Sequence, residues 1–507
     1  MKQVGFQVEP QKPSERIKAL MQDAGKKIAQ GVFDQFAPVK ELSEKAYMLL
    51  RLSKGASGAF EALLKGGKLK ITDGVYDFDE KNRGGVIKQW LTPVQGERHG
   101  FLRWVAANRA ERLAGEGKEN LFTPESIAAL KSLSDGVTSF DYTIQTGEGK
   151  GTVTRDRTLI YADAQRIFNG FQRNVMDMAE QSGLIDGEMR QMWEHEFYVP
   201  FYRVEDDGSV AGANIKNGVI RQQAFKALTG RSNKLNADLL DNTLMNWAHL
   251  LDAAAKNRAA KASIEAAESA KVALPIEGNM GKGSVWFMEN GQKRWSFVDD
   301  PYLMTAISAL QYGGLKGPAM QALSSLKHML TIGVTASPFF KVRNLIRDSV
   351  QVIASSPIGV NPVANVVQGW KNTGPESDQY FRLLAGGGTI HFGTMMEGSE
   401  AKRVQALVES GVDASNILDS DKKVKAFYRK FIEPGITAYN ELGNRGEAVN
   451  RAALYSQLID QGVSHAEASL LARDLMDFSM SGSFASIRFL TQVVPFFNAR
   501  LQGLYKL

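Results

Sequence analysis

Two glycine-rich stretches carry residues that in another arrangement would cradle phosphate: Gly147-Glu148-Gly149-Lys150-Gly151-Thr152 and Gly281-Lys282-Gly283-Ser284. Backbone N–H groups freed by glycine bind anions, but a nucleotide loop needs Lys followed directly by Ser or Thr after four spacer residues. Here a glycine stands between lysine and hydroxyl both times, so both stretches read as flexible turns. Metal chemistry needs converging ligands, and the six histidines, at 99, 195, 249, 328, 391 and 465, include no pair at helical or finger spacing. Glu194-His195-Glu196 alternates within a predicted helix, which keeps its carboxylates off a shared i,i+4 face with His195 and makes it a salt-bridged helix end. The chain has no Cys, which excludes disulfides, thiolate zinc sites and a cysteine nucleophile. No Gly-x-Ser-x-Gly elbow supports a serine triad. Asp206-Asp207 and Glu433 are available acids for glycoside cleavage, a chemistry defined by separation in space, with solvated surface acids as the default. No cofactor, metal or small-molecule ligand is expected, and the chain reads as a non-enzyme.

Two basic clusters are candidates for phosphate or partner contact: Lys341, Arg343 and Arg347 around Asn344, and Lys422, Lys423, Lys425, Arg429 and Lys430. Solvated helix faces account for them equally well. Arg343-Asn344 and Arg347-Asp348 also flank apolar Val342, Leu345 and Ile346, the pattern of a buried ion network that fixes helix register. Arg445, Glu447, Asn450 and Arg451 repeat that pattern, and Arg473, Asp474 and Asp477 repeat it again. Interhelical polar ties in a large α domain would explain all three groups.

The elements that must position these residues belong to a chain of 507 residues, which at typical domain size corresponds to about three domains. Hydrophobic residues at 43% and charged residues at 23% exclude wholesale disorder and fibrous repeats. Lys and Arg outnumber Asp and Glu by 61 to 55, a net +6 that permits nucleic-acid contact without predicting it. Charges from Glu9 to Lys18 interrupt the stretch where a signal peptide would carry an apolar run of about 7–15 residues. Ser349 to Trp370 is uncharged over 22 residues. Pro357, Pro362, Asn361, Asn365, Gln351 and Gln368 argue against a stable membrane span there and for buried core or a partner-facing surface.

Helical spacing over 14–66 predicts two helices joined near Pro38. The stretch 67–78 alternates around Asp73-Gly74, a hairpin signal, and 284–298 flanks Asn290-Gly291 with aromatic and β-branched runs, a stronger one. Thr123-Pro124-Glu125 starts a helix. A loop or small hairpin over 141–157 precedes a long helix over 158–182. A further helix runs from Asp186 to Tyr198, before Pro200, followed by loop at 203–217. Residues 237–272 form the longest candidate, the central helix. Segments 398–411, 420–431, 436–461 and 464–480 complete the set, the last opened by a Ser464/Glu467 capping box. The expected class is mainly α, a multi-helix protein with two or three small β-hairpins, divided as an N-terminal helical region with a hairpin (1–157) and a helical domain (158–507).

Five phrases in this order carry a resemblance: YVPFYRVEDDG (198–208), SPFFKVRNLIRDSV (337–350), NRGEAVNRAALY (444–455), ARDLMDFSMSGS (472–483) and VPFFNARLQGL (494–504). They resemble the helical domain of large polyvalent proteins of bacteriophages and mobile elements, over about 160–507. The resemblance implies no catalytic activity. It implies a structural protein of a phage particle, an internal virion or DNA-ejection component made in the host cytoplasm, held in the virion interior and ejected into the host envelope or cytoplasm. The expected partners are copies of itself or other virion proteins, with DNA and transient membrane contact as further expectations. The alternatives are an accessory module of a larger polypeptide whose enzymatic unit lies outside this chain, and a DNA-binding accessory protein. The amphipathic run Phe496 to Leu504 close to the C-terminus raises the expectation that the chain continues beyond Leu507.

Overall fold

The computed structural model describes Gly25 and residues 27–311, 362–389 and 448–505, except 92, 95–96, 119–121, 144–149, 195–196, 198–202, 205–209, 212–238, 375–376, 476, 478 and 495–496. Residues 398–411 and 420–431, where helices were expected, lie outside the described residues.

A π-helical turn at Ala29–Phe33 leads into α1 (Ala37–Leu42), α2 (Glu44–Ser53) and α3 (Ala56–Lys65). Pro38 joins no pair of helices: it stands in the first turn of α1, where its missing N–H has no partner to lose. The break falls instead at Ser43, whose hydroxyl accepts from the Ala46 N–H at 3.2 Å and starts α2. Strands β1 (Gly67–Thr72) and β2 (Val75–Arg83) follow as the expected antiparallel hairpin. Asp73 and Gly74 take φ of +56° and +87° at its tip.

After α4 (Arg98–Gly115), α5 (Pro124–Lys131) begins at Thr123, whose hydroxyl accepts from the Ser126 N–H at 3.3 Å. Strands β3 (Val137–Thr143) and β4 (Lys150–Asp156) form the small hairpin ahead of α6 (Arg157–Gln181). The next helix, α7 (Gly187–Trp193), ends before the expected Tyr198 because Glu194 leaves helical geometry at ψ 64°, its carboxylate turned back to accept from Arg190 Nε at 2.6 Å. Within the stretch read as loop, β5 (Arg203–Val204) and β6 (Val210–Ala211) make a two-residue pairing.

The long helix is α8 (Leu239–Ser269). Strands β7 (Ala273–Ile276), β8 (Ser284–Glu289) and β9 (Gln292–Val298) then form an antiparallel sheet in the order β7-β9-β8. Its β8–β9 hairpin turns at Asn290-Gly291 with φ of +49° and +74° as expected, while β7 is an addition that the sequence reading lacked. The remaining described helices are α9 (Pro301–Ser308), α10 (Pro362–Asn372), α11 (Asp378–Ala385), α12 (448–460), α13 (His465–Asp474), α14 (Ala485–Val493) and α15 (Phe497–Tyr505). Helix α13 opens as predicted, with the Ser464 hydroxyl accepting from the Glu467 N–H, but stops at Asp474 instead of 480. The Asp477 carboxylate there accepts from the Ser479 N–H at 2.8 Å and turns the chain locally. The protein is thus mainly α with small antiparallel sheets.

Helix α8 is central because most of its circumference is buried, with its charged residues, such as Asp252, Lys256 and Lys261, gathered on a partly exposed strip. Leu244, Trp247, Leu250, Leu251, Ala254, Ala259, Ile264 and Ala267 are all fully buried, and the helix packs along α2, α3, α4 and α6 and against β7 and β8. Trp247 meets Trp90, Phe168 and Phe171 at centroid distances of 6.1, 5.7 and 6.5 Å. Buried Asn257 donates to the carbonyls of Ser182 and Met288 at 2.7 and 2.8 Å and accepts from the Met288 N–H at 2.8 Å, which fixes the sheet on the helix. A single apolar cluster contains residues from both sides of position 157, and a smaller one gathers Leu383, Tyr455 and Leu458 with α13. Among the described residues no helix is long and apolar enough to cross a membrane.

Candidate functional site

Among the described residues the densest set of buried charged groups lies where α2 meets the end of α13. Arg51 sits in the apolar run AYMLLRL of α2 and is buried beside Leu49, Leu50 and Leu52. Its guanidinium donates to Asp477 Oδ2 from both Nε (3.2 Å) and Nη2 (2.8 Å), and also to Asp474. Arg473, one turn before Asp477 on the chain, donates to the same Oδ2 from Nε at 3.0 Å and to the Gly387 carbonyl at 3.0 Å. The Ser479 hydroxyl accepts from Arg473 and donates to Asp477 Oδ1 at 2.6 Å. Asp477 therefore faces two guanidiniums and a hydroxyl. Burial alone would raise its carboxyl pKa, but Arg473 and Arg51 hold it well below the usual carboxylate range. Its side chain is 1% exposed, against 37% for Asp474.

The same knot reaches the N-terminal helices. The Tyr47 hydroxyl accepts from Arg51 and donates to Asp34 Oδ2 at 2.7 Å, and burial pushes its pKa up. Lys54 donates to the Ser479 carbonyl at 2.9 Å and lies 4.7 Å from the Phe36 ring centroid; burial brings its ammonium pKa down to about 8. Gly387 closes the knot because it has φ +74° and lies against Gly55, where a Cβ would come within 2.5 Å of the Gly387 Cα.

A second polar cluster fixes the β1–β2 hairpin. Asp77 accepts from Arg382 Nε (3.0 Å), the Thr72 hydroxyl (3.1 Å) and its neighbour's Phe78 N–H (2.9 Å). His465, at the start of α13, has Nε2 2.8 Å from the Tyr76 carbonyl and Nδ1 2.8 Å from the Tyr455 hydroxyl. Because a carbonyl only accepts, the neutral ring carries its proton on Nε2 and accepts at Nδ1 from Tyr455. Its backbone N–H donates to Asp73 at 3.2 Å. Burial lowers the His465 pKa, against the pull of Asp77, whose Oδ1 lies 3.7 Å away.

A pH dependence follows from that shift. The folded ring stays neutral at pH values where the unfolded one, at about 6.5, takes up a proton, so the unfolded state binds more protons and stability falls as pH drops below about 6.5. Urea unfolding at pH 7, 6 and 5 is expected to give a steeper loss for the wild type than for His465→Gln. This group's share of the slope is at most about 1.4 kcal/mol per pH unit.

Of the residues singled out from sequence, Arg473, Asp474 and Asp477 come together in the first knot. Arg451 is buried and donates to the Thr389 hydroxyl at 3.1 Å, and Asn450 is buried in the same helix. Lys341, Arg343, Asn344, Arg347, Asp348, Arg445 and Glu447 lie outside the described residues, as do the 422–430 cluster, His195, Asp206-Asp207 and Glu433. Glu194 is engaged by Arg190, as its reading required. Arg51, Asp34, Tyr47, Lys54, Asp77, Arg382 and His465 were missed. The one local signal among them is Arg51, a cation inside an apolar helical face. Arranged this way, the charged groups are engaged with one another, which suits them to holding distant segments in register.

Comparison with protein-family models, with curated proteins and with solved structures finds no match.

Proposed function

We propose that this protein is a non-enzymatic structural component of a phage particle, an internal virion protein ejected with the genome that assembles with copies of itself or with other ejected proteins. The observation that supports this reading is the use made of the buried charges. Arg51, Arg473 and Asp477 join segments more than 400 residues apart in the chain by non-covalent ties, the separation from Arg51 to Asp477 being 426 positions. A chain without cysteine whose distant segments are held in this way unthreads without breaking a covalent bond and regains its register from specific ion pairs. Passage through a narrow channel requires the first, and assembly on the far side requires the second. The resemblance of residues 198–208, 337–350, 444–455, 472–483 and 494–504 to phage polyvalent-protein helical domains points the same way.

The test is mass spectrometry of nuclease- and protease-treated particles of the phage that encodes the chain. Peptides of this protein that stay protected until the shell is opened are the expected result. Their confinement to the host lysate would contradict the reading.

A further inference from the structure

Helices α14 and α15 end the described chain in a region whose composition differs from the rest. From Phe478 to Leu507 the sequence has no Asp or Glu, three cations (Arg488, Arg500 and Lys506) and six aromatic residues. Phe484, Phe489 and Val494, at and between the two ends of α14, are 38%, 40% and 38% exposed. Ile28, 54% exposed, stands one turn before Gly31, on whose backbone the Phe484 ring lies. None of the described apolar side chains of α14 and α15 enters either apolar cluster of the protein. Single exposed apolar residues are ordinary, but several large ones in one acid-free segment mark a contact surface.

We propose that this end of the molecule docks on an anionic lipid surface. Helices that lie in a membrane interface combine Phe and Leu with Lys or Arg, the apolar groups entering the acyl boundary and the cations meeting lipid phosphates. Each cation near such a surface adds attraction, and the segment itself carries no carboxylate to oppose it. The same charge pattern disfavours a second copy as occupant, because a two-fold contact would bring this net-cationic segment against itself. At nine residues each, α14 and α15 are too short to span a bilayer, so the contact lies in the plane of the interface.

The experiment is sedimentation of the full chain with vesicles of phosphatidylcholine alone and with vesicles containing roughly one quarter phosphatidylglycerol, at low and high salt. The wild type is expected to partition onto the anionic vesicles, and salt is expected to release it. Phe489→Ser and Arg500→Glu are each expected to lower that partition by about tenfold. Both side chains are exposed, and unchanged circular dichroism separates lost docking from lost folding; if the first variant is unfolded, the second decides. Failure to bind anionic vesicles, equal binding by the folded variants, or a solution dimer that Phe489→Ser splits would overturn the proposal.

Discussion

Asp477→Ala is expected to lower the unfolding free energy by about 3–5 kcal/mol, read as a fall in the urea midpoint with an unchanged slope. The size follows from what the substitution leaves behind. Arg51 and Arg473 are 3% and 1% exposed and both aim at the removed carboxylate, so two buried guanidiniums lose their main counter-charge together. Asp474, more than a third exposed, provides the contrast: Asp474→Asn takes a partly solvated charge from Arg51 but leaves Asp477 on it, and is expected to cost about 1 kcal/mol or less. The effect of Asp477 also has a pH signature. A carboxyl held below its unfolded value contributes stability that is present above about pH 3.9 and is lost as pH falls through the folded value, so wild type and Asp477→Ala converge in acid. A cost below about 1 kcal/mol at pH 7 would show that the knot does not hold α2 to α13.

Trp247→Ala is expected to cost about 3–5 kcal/mol. The indole is fully buried in the N-terminal third of α8, touches rings from the 87–91 turn and from α6, and donates its N–H to Gln172. Truncation opens a cavity between elements too well anchored to collapse into it and strands the Gln172 amide oxygen. Leu159→Ala, on the exposed side of α6, is the matched control and is expected to change stability by no more than about 0.5 kcal/mol. Chemical unfolding followed by tryptophan fluorescence and by circular dichroism tests both variants. A smaller loss for Trp247→Ala than for Leu159→Ala would contradict the placement of the core.

What the sequence made legible was local. Asp73-Gly74 and Asn290-Gly291 specify their hairpins because a turn that needs positive φ twice is encoded in two adjacent residues. Thr123 and Ser464 likewise announce their helices through a side chain that reaches only three residues along. Arg473 and Asp477 share a helical spacing and could be paired on that ground, although α13 ends between them. The partner that gives the pair its meaning, Arg51, lies in a different helix 426 positions away, and periodicity carries no information about that. Strand β7 escaped for a related reason: its Pro275 reads as a breaker, and its place in the sheet depends on pairing with β9 across the intervening β8. His465 looked like one isolated histidine among six. Its environment is assembled from β2, α11 and α12, so the buried neutral ring becomes visible only in three dimensions.

The proposed passage of this chain out of a particle makes the most direct demand on experiment. Quantitative mass spectrometry of purified particles before and after triggered genome release counts the copies of this protein in each. A protein ejected with the genome is present in full particles and lost from emptied ones, along with its partners in ejection. Equal copy number in both would make it a fixed part of the shell or tail, and absence from full particles would contradict a virion role altogether.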